Sequence, residues 1–266
     1  MSPSQEFPST VSSSPVALVT GAGTRVGAAI ARRLGAEGMR VVVHYMHSER
    51  GAQQTCEAIQ QGGGEAIIVR ADLCSRSSVQ NLAEHAQAAW GTLDLLVSSA
   101  ANFERVSFDE LTPEHWDRAM RLNLEAPFLL THALRHALRQ SKGQVIMITC
   151  SSTSRPFINY LPYVVSKAGL RQMMQTLALE LAPEVRVNAI APGAVMLPED
   201  TPTELRDALT QAIPLKRLGR ANDIAEAVLY LSRAPFVHGH ELVVDGGHIW
   251  QSDVSGMNHT ANASNA

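Results

Sequence analysis

Short runs of aliphatic and β-branched residues alternate along the chain with longer stretches of helical periodicity. The apolar runs cover residues 16–19, 41–43, 66–69, 93–97, 145–148, 185–190 and 242–244. Helical pattern fills the intervals at about 25–37, 51–61, 76–90, 112–140, 160–181 and 221–232. Within the runs, apolar residues are consecutive rather than alternating. That predicts strands buried on both faces, as in a parallel sheet covered by helices. Strict alternation with right-handed crossovers predicts an α/β, doubly wound domain of seven strands and six helices. Residues 15–250 read as this one domain, with no linker or internal repeat. Residues 1–14, rich in Ser and Pro, and 251–266, polar and aperiodic, bury too little apolar surface to offset chain entropy. They are expected to be a disordered N-terminal tail and a flexible C-terminal one.

Composition narrows the function classes. The 266 residues are 45% hydrophobic and 18% charged, with 22 Lys and Arg against 25 Asp and Glu. A net charge of −3 leaves no basic footprint for nucleic acid and no polybasic face for a membrane. No apolar run reaches the ~18 residues of a spanning helix. The start MSPSQEFPSTVSSSP lacks the basic and apolar regions of a secretory signal. Cys56, Cys74 and Cys150 form no CxxC pair and are too few for a disulfide framework. His132 and His136 have ligand-like spacing, but no carboxylate or cysteine motif accompanies them, so no metal site is expected. A cytoplasmic protein acting on a small molecule is the expectation.

The first run leads through TGAGTRVG, residues 20–27, straight into a helix. Gly21 and Gly23 permit tight backbone geometry, Gly27 permits close packing of helix on strand, and the helix N-terminus offers free N–H groups to a pyrophosphate. An ordinary strand–helix turn is the alternative. The second run ends VVVHYMHSER, and the place near His44 and Tyr45 where an NAD site carries an acid is not acidic. Arg25, His44, His47, Ser48 and Arg50 instead offer donors to a 2′-phosphate, which predicts NADP(H). A merely solvated loop is the other reading.

Tyr163 and Lys167, in YVVSK, share one helical face at i and i+4. A phenol titrates near about 10, and an adjacent ammonium favours phenolate, so the pair can exchange a proton with a carbonyl oxygen. Tyr160 is a second candidate for the same role. Phe103 reads by itself as a core or lid aromatic. The connection 196–215, rich in Pro, Thr and acids, reads as a lid.

Taken in order, TGAGTRVG, Ala71-Asp72-Leu73, Asn123, YVVSK, RVNAIAPG and VDGG resemble the short-chain dehydrogenase/reductase family over nearly the whole body. The resemblance implies a single Rossmann-type domain with a parallel sheet in the order 3-2-1-4-5-6-7 and helices on both faces. It implies that Gly21, Thr24, Arg25, Val26, His44, Tyr45, His47, Ser48, Asp72, Leu73, Ser99, Ala100, Thr149, Tyr163, Lys167, Pro192, Gly193 and Val195 hold the cofactor. Tyr163, Lys167, Asn123 and Cys150 would be catalytic, with Asn123 holding the fourth helix open and supporting a proton relay to Lys167. The long helices at 112–140 and 160–181 would pack against a second copy in a homotetramer. TGxxxRxG, HYMHS and the placing of Phe103 are similar to the pteridine reductase branch, where a phenylalanine stacks on a flat heteroaromatic ring. Phe103, Cys150, Tyr163, Met196 and Leu197 would then line the substrate site.

Two departures stand out. Thirteen residues before Tyr163 the wider family has Ser and the pteridine branch Asp, whereas this chain has Cys150. A thiol donates weakly there, unless Ser151 or Ser152 substitutes; Cys150 as a small apolar packing residue is the other reading. The family's NNAG is SSAA, residues 98–101. The leading expectation is an NADPH-dependent oxidoreductase delivering hydride to a C=N or C=O group of a pteridine or dihydrofolate type. The alternatives are a generic carbonyl reductase, for ketoacyl or secondary-metabolite ketones, and a weakly catalytic NADP-binding regulatory protein.

Overall fold

All seven apolar runs become strands of one parallel sheet. The computed structural model describes residues 14–154, 156–197 and 201–250; the expected tails therefore lie outside the described residues, apart from Ser14. The strands are β1 (Val16–Val19), β2 (Arg40–Tyr45), β3 (Ala66–Arg70), β4 (Leu95–Ser98), β5 (Gln144–Ile148), β6 (Arg186–Pro192) and β7 (Glu241–Val244). Their order is β3-β2-β1-β4-β5-β6-β7, as expected. In the central register Leu18 lies beside both Val42 and Leu96.

Burial explains why the strand sequences do not alternate. Around the sheet lie α1 (Arg25–Ala36), α2 (Glu49–Gln61), α3 (Arg76–Trp90), α4 (Pro113–Met120), α5 (Ala126–Gln140), α6 (Leu161–Leu181), α7 (Thr203–Ala212) and α8 (Ala221–Arg233). Leu18, Val145 and Met147 pack against Leu82 of α3, Leu134 of α5 and Leu170 of α6. Val19 and Ile146 face the other way, against Ile30 and Leu34 of α1 and Ile224 and Val228 of α8. Each fully buried Leu or Ile contributes about 1.5–3 kcal/mol relative to exposure, so both faces favour aliphatic residues.

The helices depart from the expected six in two places. The stretch 112–140 is α4 and α5 joined by a π-helical turn, Arg121–Glu125. One inserted residue leaves each half with its own intact period, so the pattern shows no break. The lid stretch contains α7, a short helix with Leu205, Ala208, Leu209 and Ala212 at helical spacing but no fully buried residue.

The glycine turn is held from both sides. Gly21 has φ +66°, and a Cβ there would lie 2.9 Å from Ala100 Cα; a Cβ on Gly27 would lie 2.3 Å from Gly21 O. Gly21 N–H donates to His44 Nδ1 at 3.0 Å, and Ala22 N–H to the His44 carbonyl at 2.8 Å. The His44 proton thus sits on Nε2, which donates to the Ala71 carbonyl at 3.0 Å. His44 is 2% exposed, and burial lowers its pKa to about 4, against the opposing pull of the Ala71 bond. This corrects the expectation that His44 donates to a phosphate: it is a neutral bracket joining the β1 turn to the end of β3, with both ring nitrogens occupied.

Protonating His44 would remove the acceptor for Gly21. Its folded pKa lies below the ordinary 6.5, so its stabilising contribution is complete above pH 6.5 and is lost as pH falls through 4. The loss is on the order of 3 kcal/mol. His44→Asn keeps an acceptor and abolishes the titration. Chemical denaturation from pH 7 to 4 should show wild type and variant converging by that amount; parallel curves would refute the bracket.

Candidate active site

Parallel strands bring their C-terminal ends to one edge, and between β1 and β4 the order reverses, opening a crevice where ligands of such sheets bind. The Thr20 hydroxyl crosses the reversal, accepting from Ser99 N–H at 3.0 Å and Ala100 N–H at 3.1 Å. Thr24 and Arg25 are exposed and Val26 half-buried at the start of α1. The Thr24 side chain makes no cap bond, which leaves first-turn N–H groups of α1 facing the crevice edge.

At the end of β2, Tyr45 is buried in the core while His47 and Arg50 are exposed and Ser48 is half-buried. The Arg25 guanidinium does not join them: it donates to the Met196 carbonyl, in the segment that follows β6. Since β6 lies on the opposite side of β1 from β2, the expected cluster at the β2 end narrows to His47, Ser48 and Arg50. Asp72 Oδ1 accepts from Cys74 N–H at 2.9 Å, closing the turn after β3, and Leu73 is buried. Gly193 N–H donates to the Val244 carbonyl at 3.0 Å, and Val195 bridges to Gly219, which orders the chain after Pro192. Met196 is exposed and Leu197 half-buried; residues 198–200 of the expected lid lie outside the described residues.

The end of β5 meets the start of α6. Lys167 Nζ donates to the Ile148 carbonyl at 2.7 Å and lies 5.8 Å from the centroid of the Tyr163 ring. The Tyr163 hydroxyl lies beside the Cys150 side chain. Cys150 is therefore part of the site rather than core packing. Ser152 does not replace it: its Oγ is buried without a partner. Burial, reinforced by the Cys150 sulfur, pushes the Tyr163 phenol well above its ordinary value. Burial lowers Lys167 to about 8, with Cys150 opposing. The lowering expected from Lys167 does not emerge: burial acts in the opposite direction, and Tyr163 is protonated at neutral pH.

Asn123 occupies the π-helical turn, fully buried. Its Oδ1 accepts from Asn102 N–H at 2.9 Å, and its Nδ2 donates to the Asn102 carbonyl at 3.2 Å and to Ser166 Oγ at 3.0 Å. This side chain clamps the loop after β4 to α6, and the widened helical turn matches the opening expected there. The clamp delivers Phe103, whose ring lies edge-on 4.7 Å from Tyr163 and stacked 4.4 Å from Tyr160 at 19°. Phe157 adds an edge 5.0 Å from Tyr160. Tyr160 is thus a wall beside Tyr163. Phe157 and Ser166 escaped the sequence reading; only the Ser in YVVSK carried a signal.

Thr149, the last residue before Cys150, is buried, and its one hydroxyl proton has two acceptors within reach, Glu241 Oε1 at 2.6 Å and the Ile190 carbonyl at 3.0 Å. Nothing in the sequence links positions 149 and 241.

Residues 21–248 match the family model described as enoyl-(acyl carrier protein) reductase. The chain is 37% identical over 241 residues to the granaticin polyketide synthase putative ketoacyl reductase 2 of Streptomyces violaceoruber, covering 88% of this chain and 95% of that one. A 7α-hydroxysteroid dehydrogenase solved with NADH and a 7-oxo bile acid superposes with a TM-score of 0.84 at 32% identity, covering 88% and 93% of the two chains. The angucycline C-6 ketoreductase LanV, solved with bound NADP, has a TM-score of 0.84 at 29% identity over 89% and 96%. Enzymes of this kind use nicotinamide cofactors. With the family model spanning most of its length, the chain belongs to the short-chain dehydrogenase/reductase family and is an oxidoreductase.

Proposed function

We propose that this protein is an NADPH-dependent carbonyl reductase. The observation that carries the reading is the protonated Tyr163, buried between Cys150 and Lys167 and bordered by the half-exposed Phe103. The relatives named above act on ketones or hydroxysteroids by their own descriptions, which supports a carbonyl more than a pterin. The cofactor residues fit the group they would hold. Gly21, Thr24, Arg25 and Val26 surround the N–H donors of α1, and Asp72, Leu73, Ser99 and Ala100 lie along the β3–β4 side. Pro192, Gly193 and Val195 would border the nicotinamide end, whereas the Thr149 hydroxyl is taken up by Ile190 and Glu241 and is not counted among them. His47, Ser48 and Arg50 support a 2′-phosphate, and no acid ends β2.

When bound, the reduced nicotinamide supplies the hydride. Tyr163, neutral because it is buried, donates its hydroxyl proton to the carbonyl oxygen as that oxygen gains charge. Lys167, charged below about pH 8, stabilises the phenolate left behind. Cys150 orients the Tyr163 hydroxyl, and Asn123 keeps the loop carrying Phe103 against α6. Met196 and Leu197 border the substrate from the lid side. The body that does this is residues 15–250, and exposed Phe128 and half-buried Met173 beside a groove of about 580 Å³ support the packing of α5 and α6 on another copy in a homotetramer. No helix among the described residues is long and apolar enough to cross a membrane.

A second reading, reduction of a pterin or dihydrofolate ring, is favoured by Phe103, an exposed aromatic ring 4.7 Å from Tyr163 with one face stacked on Tyr160. NADPH oxidation measured with a ketone panel and with dihydrobiopterin should show turnover of ketones; turnover of the pterin alone would reverse the choice. Tyr163→Phe should lower kcat by about 10²–10⁴ with NADPH affinity unchanged, and undiminished turnover would exclude this mechanism. A hydroxyl donates more strongly than a thiol, by about one kcal/mol, so Cys150→Ser should raise kcat about fivefold. A fall in kcat for Cys150→Ser would show that the thiol is needed as such.

A further inference from the structure

One buried carboxylate outside the family's motif residues is tied to this site. Glu241, the first residue of β7, keeps only 6% of its side chain exposed. Its Oε1 accepts a hydrogen bond from Thr149 Oγ1 at 2.6 Å. Its Oε2 lies 2.9 Å from Arg171 Nε, an ion-pair contact without the angle of a hydrogen bond. β7 and β5 are not neighbours. Both pair with β6, where Ala189 lies beside Glu241 and Ile190 beside Ile148. The Glu241 side chain therefore reaches over β6 to the end of β5.

Both of its partners lead to the reacting groups. Thr149 immediately precedes Cys150, and Lys167 holds the preceding carbonyl, that of Ile148. Arg171 sits one helical turn beyond Lys167 and two beyond Tyr163, on the same α6. A single carboxylate thus grips the strand end that carries Cys150 and the helix that carries Tyr163. An ionised group removed from water is costly, and an aliphatic residue would fill this place against the sheet more cheaply. The closeness of Tyr163 to Cys150, in turn, is kept only if strand and helix hold their relative position to a few tenths of an ångström.

We propose that Glu241 is a positioning residue, which through Thr149 and Arg171 sets the approach of Cys150 to Tyr163 and so acts on kcat. The proposal rests on Tyr163 being the proton donor. The full chain is assayed with NADPH and the best ketone of the panel. Glu241→Ala and Thr149→Val should each lower kcat about tenfold, with ketone KM and NADPH affinity within twofold, while Thr149→Ser keeps wild-type kcat. The double variant should lose no more than Glu241→Ala alone, because that variant already removes the contact that Thr149→Val breaks. Losses that multiply, or a Glu241→Ala enzyme of normal kcat, overturn the proposal.

Should Glu241→Ala fail to fold, Glu241→Gln and the two Thr149 variants carry the same comparison. A readout independent of turnover is the iodoacetamide alkylation rate of Cys150 in a Cys56→Ser, Cys74→Ser background. It should change several-fold in Thr149→Val and not in Thr149→Ser, and equal rates in both count against the proposal. Failure of the parent reading looks different, since Tyr163→Phe would then keep its activity. If Tyr163→Phe is inactive and Glu241→Ala is not, the positioning role alone falls.

Discussion

Between β1 and β4 the strand order reverses, so the turns leaving these two strands run to opposite sides of the sheet. The backbone groups at that edge have no ladder to complete and must find partners elsewhere. Thr20 supplies one set by taking the N–H groups of Ser99 and Ala100 on its hydroxyl, and His44 supplies another by taking that of Gly21. Once those are satisfied, the glycine turn can lie within contact of Ala100, and α1 points its N-terminus along the crevice. Everything placed there later, from the β2 end to Phe103, is measured from this seam.

The same reversal accounts for what the sequence disclosed. β1 and α1 were legible almost to the residue, because a strand dry on both faces and a helix with a buried stripe each impose a period. Two helical features were not. α7 is short and buries none of its apolar positions fully, in a stretch dominated by Pro, Thr and acids, and the π-helical turn at Arg121–Glu125 shifts register without interrupting either half. His44 was misread for a related reason: the apolar run stops at Val43, yet β2 continues to Tyr45, which takes the imidazole into the interior where a cation is disfavoured. Arg25 looked like a phosphate donor by composition, but its reach depends on where the chain after β6 passes, and that is a tertiary fact.

Site residues divide along the same line. Tyr163, Lys167 and Asn123 are legible because helical spacing or a resemblance places them. Tyr160 and Phe157 become a wall only when the loop carrying Phe103 is clamped by Asn123. Thr149 and Glu241 lie on strands separated by a third, so no local pattern could join them.

In the proposed reduction, burial also sets the state of the proton donor, because removal from water raises the Tyr163 phenol. A tyrosine kept protonated is ready to give a proton and reluctant to take one, which suits the reduction of a carbonyl at neutral pH more than the oxidation of an alcohol. Lys167 is displaced toward neutrality by the same burial, so the site holds its positive charge only up to about pH 8. The thiol at Cys150 donates weakly where a hydroxyl would hold the developing phenolate better, so in this site that charge falls chiefly to Lys167.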